Sequence, residues 1–336
     1  MSASYRWIHR VWYEGANSGL VLLPLSGIYY LLLKLRALLF RLGVYKTFAA
    51  HAPVIVVGNI TAGGTGKTPT VIWLVNELRA RGFTPGIVSR GYGGSKSGTS
   101  MRVDIDSDAA VVGDEPVLLA RRGQCPVAVD ADRVRAAAML VDDGVDVIIA
   151  DDGLQHSRLR RNYEICVIDG ERGLGNGRLL PSGPLREPPA RLDSVDQVLI
   201  NGGSEIPGAL SFELVATDAS RLNGSLARPL HGFKDTTVHA VAGIGNPKRF
   251  FDLLRAEGMQ VIEHGFPDHA AITKADLEFG DDFDVFMTEK DAVKLGGNLS
   301  DKYWFVAVNL SMDALKATEF IEQIESRLRA SVTRND

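Results

Sequence analysis

A lysine and a threonine follow a run of glycines between residues 61 and 69, and this combination is typical of phosphate binding. The segment reads TAGGTGKTP. Glycines let backbone N–H groups turn onto phosphate oxygens, and a helix start adds partial positive charge. Lys67 would then reach the β- and γ-phosphates of a nucleotide, and the Thr68 hydroxyl would hold Mg²⁺. The residues predicted to bind the nucleotide are Thr61, Gly63, Gly64, Thr65, Gly66, Lys67, Thr68 and Pro69.

Two adjacent carboxylates, Asp151 and Asp152, end the apolar run VDVIIADD. In P-loop enzymes an acidic residue at the end of a neighbouring strand holds Mg²⁺. Successive side chains of a strand point to opposite faces, so we expect at most one of the pair to bind the metal directly. An exposed Asp-Asp-Gly turn is the alternative.

The sequence REP contains two further candidates. Glu187 is a second possible metal ligand, and Arg186 would neutralise charge on the transferring phosphoryl group. A salt bridge within the loop would equally explain Arg186.

Asp114 follows Gly113 at what we interpret as a strand end, where ligands gather in open α/β sheets. It could accept a proton from an attacking hydroxyl, or it could cap the helix that starts just after it. His269 lies in a proline-containing loop and would be a surface residue unless two domains close over a cleft. In that case His269 and Asp114 would form a base suited to neutral pH. His156 is a weaker candidate for this role.

Elements that position these residues alternate between strands and helices. The apolar run Val54–Val57 precedes the glycines, and helical apolar spacing follows them. The strict P-loop pattern has glycine where this chain has Thr61. An ordinary glycine-rich turn would leave the Lys-Thr pair unexplained. The alternation predicts an α/β fold of the P-loop NTPase type, with a mostly parallel sheet and helices on both faces.

We expect a second, smaller α/β domain after a more polar segment. The predicted division is residues 1–48 as N-terminal apolar helices belonging to the first domain, 49–205 as the P-loop core, 206–235 as a linker region and 236–336 as the C-terminal domain. The segment 171–191 is predicted to be a long loop, and loops of that length are usually functional.

Residues 15–33 carry no charged side chain, and a basic cluster follows between residues 34 and 46. A membrane-spanning helix needs roughly 20 strongly apolar residues, and Pro24 with several glycines leaves this stretch shorter. We therefore predict one or two helices in the membrane interface, with Tyr29 and Tyr30 at headgroup depth and the basic cluster facing anionic lipid. Helices packed on the domain core, or a single span, are the alternatives.

Composition narrows the function classes. The chain has 336 residues, 37 of them basic and 41 acidic, so the net charge of −4 gives no reason to expect a nucleic-acid partner. Its two cysteines lack metal-site spacing and are predicted to be core residues of a reducing compartment. We expect no cleavable signal peptide, and no obligate protein partner is evident.

Taken together, these segments resemble the tetraacyldisaccharide 4'-kinase family, the lipid A 4'-kinases of Gram-negative bacteria. Each motif is weak alone, but seven in order along nearly the whole chain are specific. The segments are residues 57–69 (VGNITAGGTGKTP), 89–92 (SRGY), 113–116 (GDEP), 151–156 (DDGLQH), 181–188 (PSGPLREP), 266–269 (FPDH) and 288–294 (TEKDAVK). The family often has His or Gln after the position of His269, where this chain has Ala270.

The resemblance implies that ATP, with Mg²⁺, phosphorylates the 4'-hydroxyl of an acylated glucosamine disaccharide 1-phosphate. It also implies a peripheral or monotopic enzyme at the lipid surface of the inner membrane, on the cytoplasmic face. By similarity, Asp151, Asp152 and Glu187 serve the metal, and Asp114 with His269 activates the hydroxyl. The remaining site residues implied by the resemblance are Arg90, Tyr92, Arg133 and Arg186.

A regulatory or assembly P-loop ATPase at the membrane is the alternative function. The segments SRGYGG and GDEP would then be switch loops, and the N-terminal helices would dock a partner. The two functions differ in whether nucleotide turnover needs an acylated sugar. The sequence leaves open a role for the charged segment from Glu289 to Asp291.

Overall fold

The computed structural model describes residues 3–95, 98–203, 206–268, 270–295 and 300–332. Helices, strands and short 3₁₀ turns alternate along these residues. The strands are β1 (Val54–Gly58), β2 (Pro85–Ser89), β3 (Met101–Val103), β4 (Val127–Val129), β5 (Val147–Asp151), β6 (Tyr163–Asp169), β7 (Gln197–Asn201), β8 (Leu210–Val215), β9 (Asp218–Arg221), β10 (Ala227–Pro229), β11 (Thr237–Ala242), β12 (Gln260–Gly265), β13 (Asp284–Thr288), β14 (Tyr303–Val306) and β15 (Asn309–Ser311). The helices are α1 (Ala3–Tyr13), α2 (Leu23–Arg41), α3 (Lys67–Ala80), α4 (Ala109–Val112), α5 (Asp114–Gly123), α6 (Arg133–Asp142), α7 (Pro247–Ala256), α8 (Glu289–Ala292) and α9 (Ala314–Val332).

The first sheet has nine strands among the described residues, in the order β15-β8-β7-β6-β1-β5-β2-β4-β3. Its seven inner strands are mutually parallel, and β15 and β3 run antiparallel at the two edges. Strands β1 and β5 read VIVVG and VIIAD and are buried on both faces, as expected of central parallel strands. The predicted mostly parallel sheet is confirmed.

Helices cover both faces of this sheet. Side chains of α3, α5 and α9 form one core with it, and α6 contributes to the core on the opposite face. Because helices cover both faces, a ligand has to approach the sheet at the ends of its strands. In open α/β sheets ligands bind outside the carboxyl ends, so we look for the site there.

The second sheet has six strands among the described residues, in the order β10-β9-β14-β13-β11-β12. Strands β12, β11, β13 and β14 are parallel, and β9 and β10 extend the sheet in antiparallel fashion. Helix α7 packs on it through Phe250, Phe251 and Leu254. This is the smaller α/β unit expected from the sequence.

The chain crosses between the sheets more than once. Residues 206–235, expected as a linker region, contain β8, β9 and β10, of which β8 belongs to the first sheet. Near the C-terminus, β15 and α9 return to the first sheet, where Phe320 and Ile324 enter its core. The domain division drawn from the sequence stays a proposal about folding units, because part of residues 236–336 packs with the first sheet.

Two local expectations were wrong. The segment before Asp114 is not a strand end: residues 109–112 form the short helix α4, and Asp114 is the first residue of α5. Asp152 lies outside β5, with a φ of 46°, so the alternation of a strand does not set its direction. The expectation that at most one of the pair binds the metal directly stays a prediction.

The N-terminal helices lie on the first unit with an exposed apolar side. The stretch Asn17–Arg41 is long and apolar enough to cross a membrane, and 11% of its most apolar window is buried. The exposed fractions of Leu31 and Leu35 are 66% and 52%. The opposite side of α2 is anchored through the hydroxyls of Ser26, which donates to Leu179 O at 2.9 Å, and Tyr29, which donates to Arg186 O at 2.9 Å.

Candidate active site

The phosphate loop connects β1 to α3, and its backbone requires glycine. Gly63 and Gly66 have φ values of 103° and 102°, a region that other residues rarely adopt. A Cβ at Gly66 would also lie 2.9 Å from Nδ2 of Asn201. Helix α3 begins at Lys67, with Pro69 in its first turn, where a missing N–H costs nothing. The loop therefore places Lys67 and Thr68 at a helix N-terminus, as expected.

This loop forms part of the wall of a cavity of about 890 Å³ that lies between the first and second sheets. Asp114 and Glu187 lie outside its wall, Thr61 is buried beside it and paired with Leu185, and His269 is outside the described residues. The predicted site residues that line the cavity are Gly63, Gly64, Thr65, Gly66, Lys67, Thr68, Pro69, Arg90, Tyr92, Arg133, Asp151, Asp152 and Arg186.

Asp152 joins two cations at the end of β5. Its carboxylate lies 3.6 Å from Lys67 Nζ and accepts two hydrogen bonds from Arg186 Nη1, at 3.0 and 3.1 Å. Burial opposes ionisation, but Lys67 and Arg186 outweigh it and lower the Asp152 pKa to about 2. Asp152 is therefore an anion that pairs with both cations at the phosphate loop.

Asp151 has a different environment although it is the adjacent residue. It is 1% exposed, and its Oδ1 has no hydrogen-bond partner within the described residues. Burial, followed by the negative charges of Glu115 and Asp152, raises the Asp151 pKa to about 7. A buried carboxylate oxygen without a partner is costly, and it needs a cation or a donor to offset that cost.

The residues present fit Mg²⁺. No three His, Cys, Asp or Glu side chains of the described residues converge as a metal cage. Mg²⁺ in phosphoryl-transfer sites is usually held by one or two carboxylates together with substrate phosphates. The partnerless oxygen of Asp151 and the cavity-lining residue Thr68 provide that kind of donor set.

Arg133, predicted to contact substrate, lines the cavity and also holds the backbone of the acidic pair. It is 5% exposed, and its Nη2 donates to the backbone oxygens of Asp151 at 3.0 Å and Asp152 at 2.9 Å. Burial lowers its pKa, although the two carboxylates oppose this.

Tyr92, by contrast, is 62% exposed at the cavity rim, and Arg90 is also exposed. We name the set Lys67, Arg133, Asp151, Asp152 and Arg186 the phosphate-edge cluster.

Glu187 faces a neighbouring groove. It accepts a hydrogen bond from Gln155 Nε2 at 2.7 Å and lies 3.3 Å from Arg191 Nε. The groove, of about 390 Å³, lies between Glu187 and helix α2, and Gln155 lines both this groove and the large cavity. A metal role for Glu187 stays a prediction, and its partners in this structure are a side-chain amide and a guanidinium.

Asp114 belongs to a ladder of ion pairs that joins α5 to α8. Arg122 Nη1 pairs with Glu289 at 2.6 Å, Lys290 Nζ pairs with Glu115 at 2.9 Å, and Lys294 Nζ lies 3.6 Å from Asp114. Helix α5 packs on the first sheet and α8 follows β13 of the second, so these pairs connect the two sheets. We name this set the bridging cluster: Asp114, Glu115, Arg122, Asp268, Glu289, Lys290, Asp291 and Lys294.

His156 lines the large cavity but is a poor proton acceptor. Burial, with a contribution from Arg133, lowers its pKa to about 4. It is therefore neutral and weakly basic at neutral pH.

Sequence reasoning missed Asp169, Arg172 and Asn201. Asp169 and Asn201 are the last residues of β6 and β7, and both line the cavity. Polar residues at the carboxyl ends of parallel strands are a usable signal, and it could have found these two. Arg172 follows in the glycine-rich loop, where no periodicity identifies it.

Comparison with known proteins gives consistent matches along the chain. A model of the family described as tetraacyldisaccharide-1-P 4'-kinase matches residues 18–329. A tetraacyldisaccharide 4'-kinase of Methylobacillus flagellatus is 47% identical over 95% of this chain and 96% of its own length. One of Pseudomonas aeruginosa is 44% identical over 99% of this chain and 100% of its own.

A solved structure is also similar. It is a crystal structure of LpxK from Aquifex aeolicus, described as the "apo" form in complex with ATP. The TM-score is 0.76 at 27% identity, covering 92% of this chain and 99% of the other.

Proposed function

Because the chain belongs to the tetraacyldisaccharide-1-phosphate 4'-kinase family, we propose that it transfers the γ-phosphoryl group of ATP to the 4'-hydroxyl of a tetraacylated glucosamine disaccharide 1-phosphate. One observation carries the proposal. Lys67, Asp152 and Arg186 form a connected charge constellation at the phosphate loop, inside a cavity large enough for a nucleotide and a sugar. Phosphoryl transfer needs this arrangement, because most of its catalysis is positioning and charge neutralisation.

The phosphate-edge cluster would act on the donor. The phosphate loop binds the phosphates, Lys67 contacts the β- and γ-phosphates, and Arg186 stabilises the charge on the phosphoryl group as it moves. Asp152 keeps Lys67 and Arg186 in place through its contacts of 3.6 and 3.0 Å. Arg133 holds the backbone from which both aspartates project.

Asp151 and Thr68 would hold Mg²⁺. Asp151 is supported by its partnerless buried oxygen and Thr68 by its position at the start of α3. The ion would neutralise charge on the β- and γ-phosphates. Asp152 and Glu187 remain candidates for the metal's surroundings, although each is already paired with basic or amide groups.

Asp114 would accept the proton of the acceptor hydroxyl, with His269 as its partner. In support, Asp114 is 7% exposed and the next residue, Glu115, lines the cavity. Lys294 at 3.6 Å keeps the Asp114 carboxylate near the junction of the two sheets. Exposed Arg90 and Tyr92 at the rim would contact the sugar or its 1-phosphate.

Helix α2 would hold the enzyme on the cytoplasmic face of the inner membrane, where an acylated acceptor resides. Its outer side exposes leucines, and its inner side is bonded to the cavity wall through Tyr29 and Arg36. An amphipathic arrangement of this kind binds at the interface in proportion to its buried apolar area.

Membrane association is tested by sedimentation with vesicles. We expect the protein to sediment partly with anionic vesicles and to be released by detergent or high salt. The double substitution Leu31→Gln and Leu35→Gln should abolish sedimentation, while Leu315→Gln, at a position 68% exposed on α9, should not. Full solubility of the unaltered protein with vesicles in low salt would contradict this role.

The activity is tested with ³²P-labelled ATP, Mg²⁺ and the acylated disaccharide 1-phosphate in detergent micelles. We expect label on the acceptor, and little hydrolysis of ATP when the acceptor is omitted. Lys67→Ala should remove both the labelling and the residual hydrolysis. Hydrolysis that proceeds equally without the acceptor would support a regulatory ATPase and overturn the kinase proposal.

A further inference from the structure

Three consecutive peptide carbonyls of the phosphate loop are held by side chains from elsewhere in the first unit. The oxygens of residues 63, 64 and 65 accept hydrogen bonds from Asn59 at 3.2 Å, from Arg172, and from Asn201 at 3.1 Å, respectively. In a planar trans peptide the N–H points opposite to the C=O. Holding these three carbonyls therefore fixes the direction of the three N–H groups that follow them.

Arg172 differs from the two asparagines because it also reaches the second sheet. Its Nη2 donates to Gly64 O and its Nη1 donates to Gly245 O at 3.2 Å, in the loop between β11 and α7. The Arg172 side chain is 14% exposed, and its guanidinium is held by Asp169 at 3.0 Å. Asp169 also accepts hydrogen bonds from the backbone N–H groups of Glu171 and Arg172, so the arginine has few alternative positions.

The loop at Gly245 packs directly on the phosphate loop. A Cβ at Gly245 would lie 2.3 Å from the backbone nitrogen of Gly64, closer than any side chain tolerates. Arg249, on α7, also donates to Asn201 O at 3.4 Å. The second sheet thus contributes contacts to the outside of the phosphate loop as well as to the cavity.

We propose that Arg172 is a positioning residue that fixes the Gly64 carbonyl and ties the phosphate loop to the Gly245 loop. The phosphate loop then has its nucleotide-binding shape only when the two sheets are together. The inference rests on the proposed nucleotide binding at this loop, but it does not depend on which acceptor is phosphorylated. Arg172 acts through the backbone and does not touch the reacting atoms.

The first test is the Kd of ATP without acceptor, measured by calorimetry on the full-length chain. Arg172→Lys keeps the charge but cannot bond Asp169 and two carbonyls at once, so we expect the Kd to rise about tenfold. In turnover assays KM for ATP should rise similarly, while kcat at saturating ATP should stay within about threefold. The matched control is Arg329→Lys, since Arg329 also pairs with a carboxylate, Glu325 at 2.8 Å, but on α9. A Kd for the Arg172→Lys protein within twofold of the unaltered protein would overturn the proposal.

The second test leaves Arg172 in place. Gly245→Ala should push the Gly245 loop away from Gly64 and raise the Kd of ATP, whereas Gly265→Ala, where a Cβ meets nothing within 4 Å, should not. If Arg172 acts through this contact, the Kd of ATP for the double variant should be no higher than that of the single variant with the higher Kd. Fully additive effects, or no effect of Gly245→Ala, would overturn it.

The two proposals fail separately. If the unaltered protein binds ATP but puts no phosphate on the acylated disaccharide, the kinase proposal is wrong and the affinity measurements still decide the role of Arg172. If label appears on the acceptor and the Arg172 and Gly245 variants bind ATP normally, only the positioning proposal is wrong.

Discussion

Two buried aspartates, Asp151 in the phosphate-edge cluster and Asp291 in the bridging cluster, are equally hidden and differently satisfied. Asp291 is 0% exposed and accepts hydrogen bonds from Gly243 N at 2.8 Å, Thr288 Oγ1 at 2.6 Å and Lys294 Nζ at 2.8 Å. Asp151 has an oxygen with no partner within the described residues. Burial alone does not separate a structural carboxylate from a ligand-binding one, whereas the list of donors does.

The two clusters also differ in what holds them. The phosphate-edge cluster is built from the end of β5, the start of α3 and α6, and one residue of the loop after β6, all of the first unit. The bridging cluster includes pairs whose partners are more than 160 positions apart, on α5 and around α8. We therefore expect substitutions in the first cluster to affect chemistry, and substitutions in the second to affect stability and the arrangement of the sheets, with the exception of Asp114, which we propose as the proton acceptor.

The largest expected effect is on stability, from Asp291→Ala. Removal of this carboxylate leaves the N–H of Gly243 and the hydroxyl of Thr288 without their acceptor, and Asp114 at 3.6 Å is then the remaining carboxylate beside Lys294. Breaking a buried ion pair typically costs about 3–5 kcal/mol. The measurement is the free energy of unfolding in urea. Asp151→Asn is the matched control and should cost less than about 1 kcal/mol, because it removes a carboxylate that is not satisfied. Equal losses for both variants would break the comparison.

Lys67→Ala should have the largest effect on activity. Without the ammonium group, the phosphoryl group loses a pre-positioned cation, and we expect kcat to fall about 10²–10³-fold. The free energy of unfolding should change little, since the lysine sits 3.6 Å from Asp152 and Arg186 still pairs with that residue. Retention of more than a tenth of kcat would contradict a role for this residue in transfer.

Asp114→Ala should separate catalysis from nucleotide binding. Loss of a general base typically costs about 10²-fold or more in kcat, and the residue lies outside the cavity wall, so the Kd of ATP should stay unchanged. Turnover and calorimetry measure the two quantities. A near-normal kcat would show that Asp114 is a structural member of the bridging cluster only.

Lys290→Met should have a moderate effect on activity. Lys290 bonds Glu115 at 2.9 Å and Asp268 at 3.3 Å, and those carboxylates raise its pKa against the effect of burial. Its loss would leave negative charge beside Asp151 and loosen the contact between the sheets. We expect kcat to fall about tenfold, with no change for Lys316→Met on the exposed side of α9. An unchanged kcat would show that this pair does not set the arrangement of the sheets.

Glu289→Gln should have the smallest effect, and that effect is on stability. Burial raises the Glu289 pKa even though Arg122 is 2.6 Å away, so ionising this side chain costs the folded state free energy. A raised carboxyl pKa means that stability declines as pH rises from the unfolded value toward the folded one. The variant lacks that decline, so its stability relative to the unaltered protein should improve from pH 4 to pH 8, and the difference at pH 8 should be within about 1 kcal/mol. Urea unfolding at the two pH values measures this change. A Glu289→Gln protein that is clearly less stable than the unaltered protein at pH 8 would contradict the prediction.

The phosphate loop and the central sheet could be predicted because their signals are local. A β-branched run, a glycine loop and a Lys-Thr pair are contiguous, and the acidic pair closes another apolar run. The segment before Asp114 was misjudged because Val111 and Val112 are β-branched, yet Asp108 caps a helix turn there by accepting from Ala110 N. Here a cap outweighed β-propensity.

Other contacts could not be predicted, because they join distant positions through loops. Glu187 faces the groove beside α2 because Gln155 and Arg191 hold it there, and neither partner is signalled by spacing. The contact between Arg172 and Gly245 spans 73 positions and two sheets. Irregular segments have no periodicity from which such neighbours can be read.

The attachment of α2 has a practical consequence for anyone preparing this enzyme for inhibitor screening. Deleting residues 1–48 would remove the need for detergent, but it would also remove the hydrogen-bond donors to the carbonyls of Arg186 and Gln155. Inhibitor affinities measured on the truncated protein would then describe a cavity whose wall has lost these hydrogen bonds. Polar replacement of the outward leucines, with the rest of the helix kept, is the better route to a water-soluble enzyme.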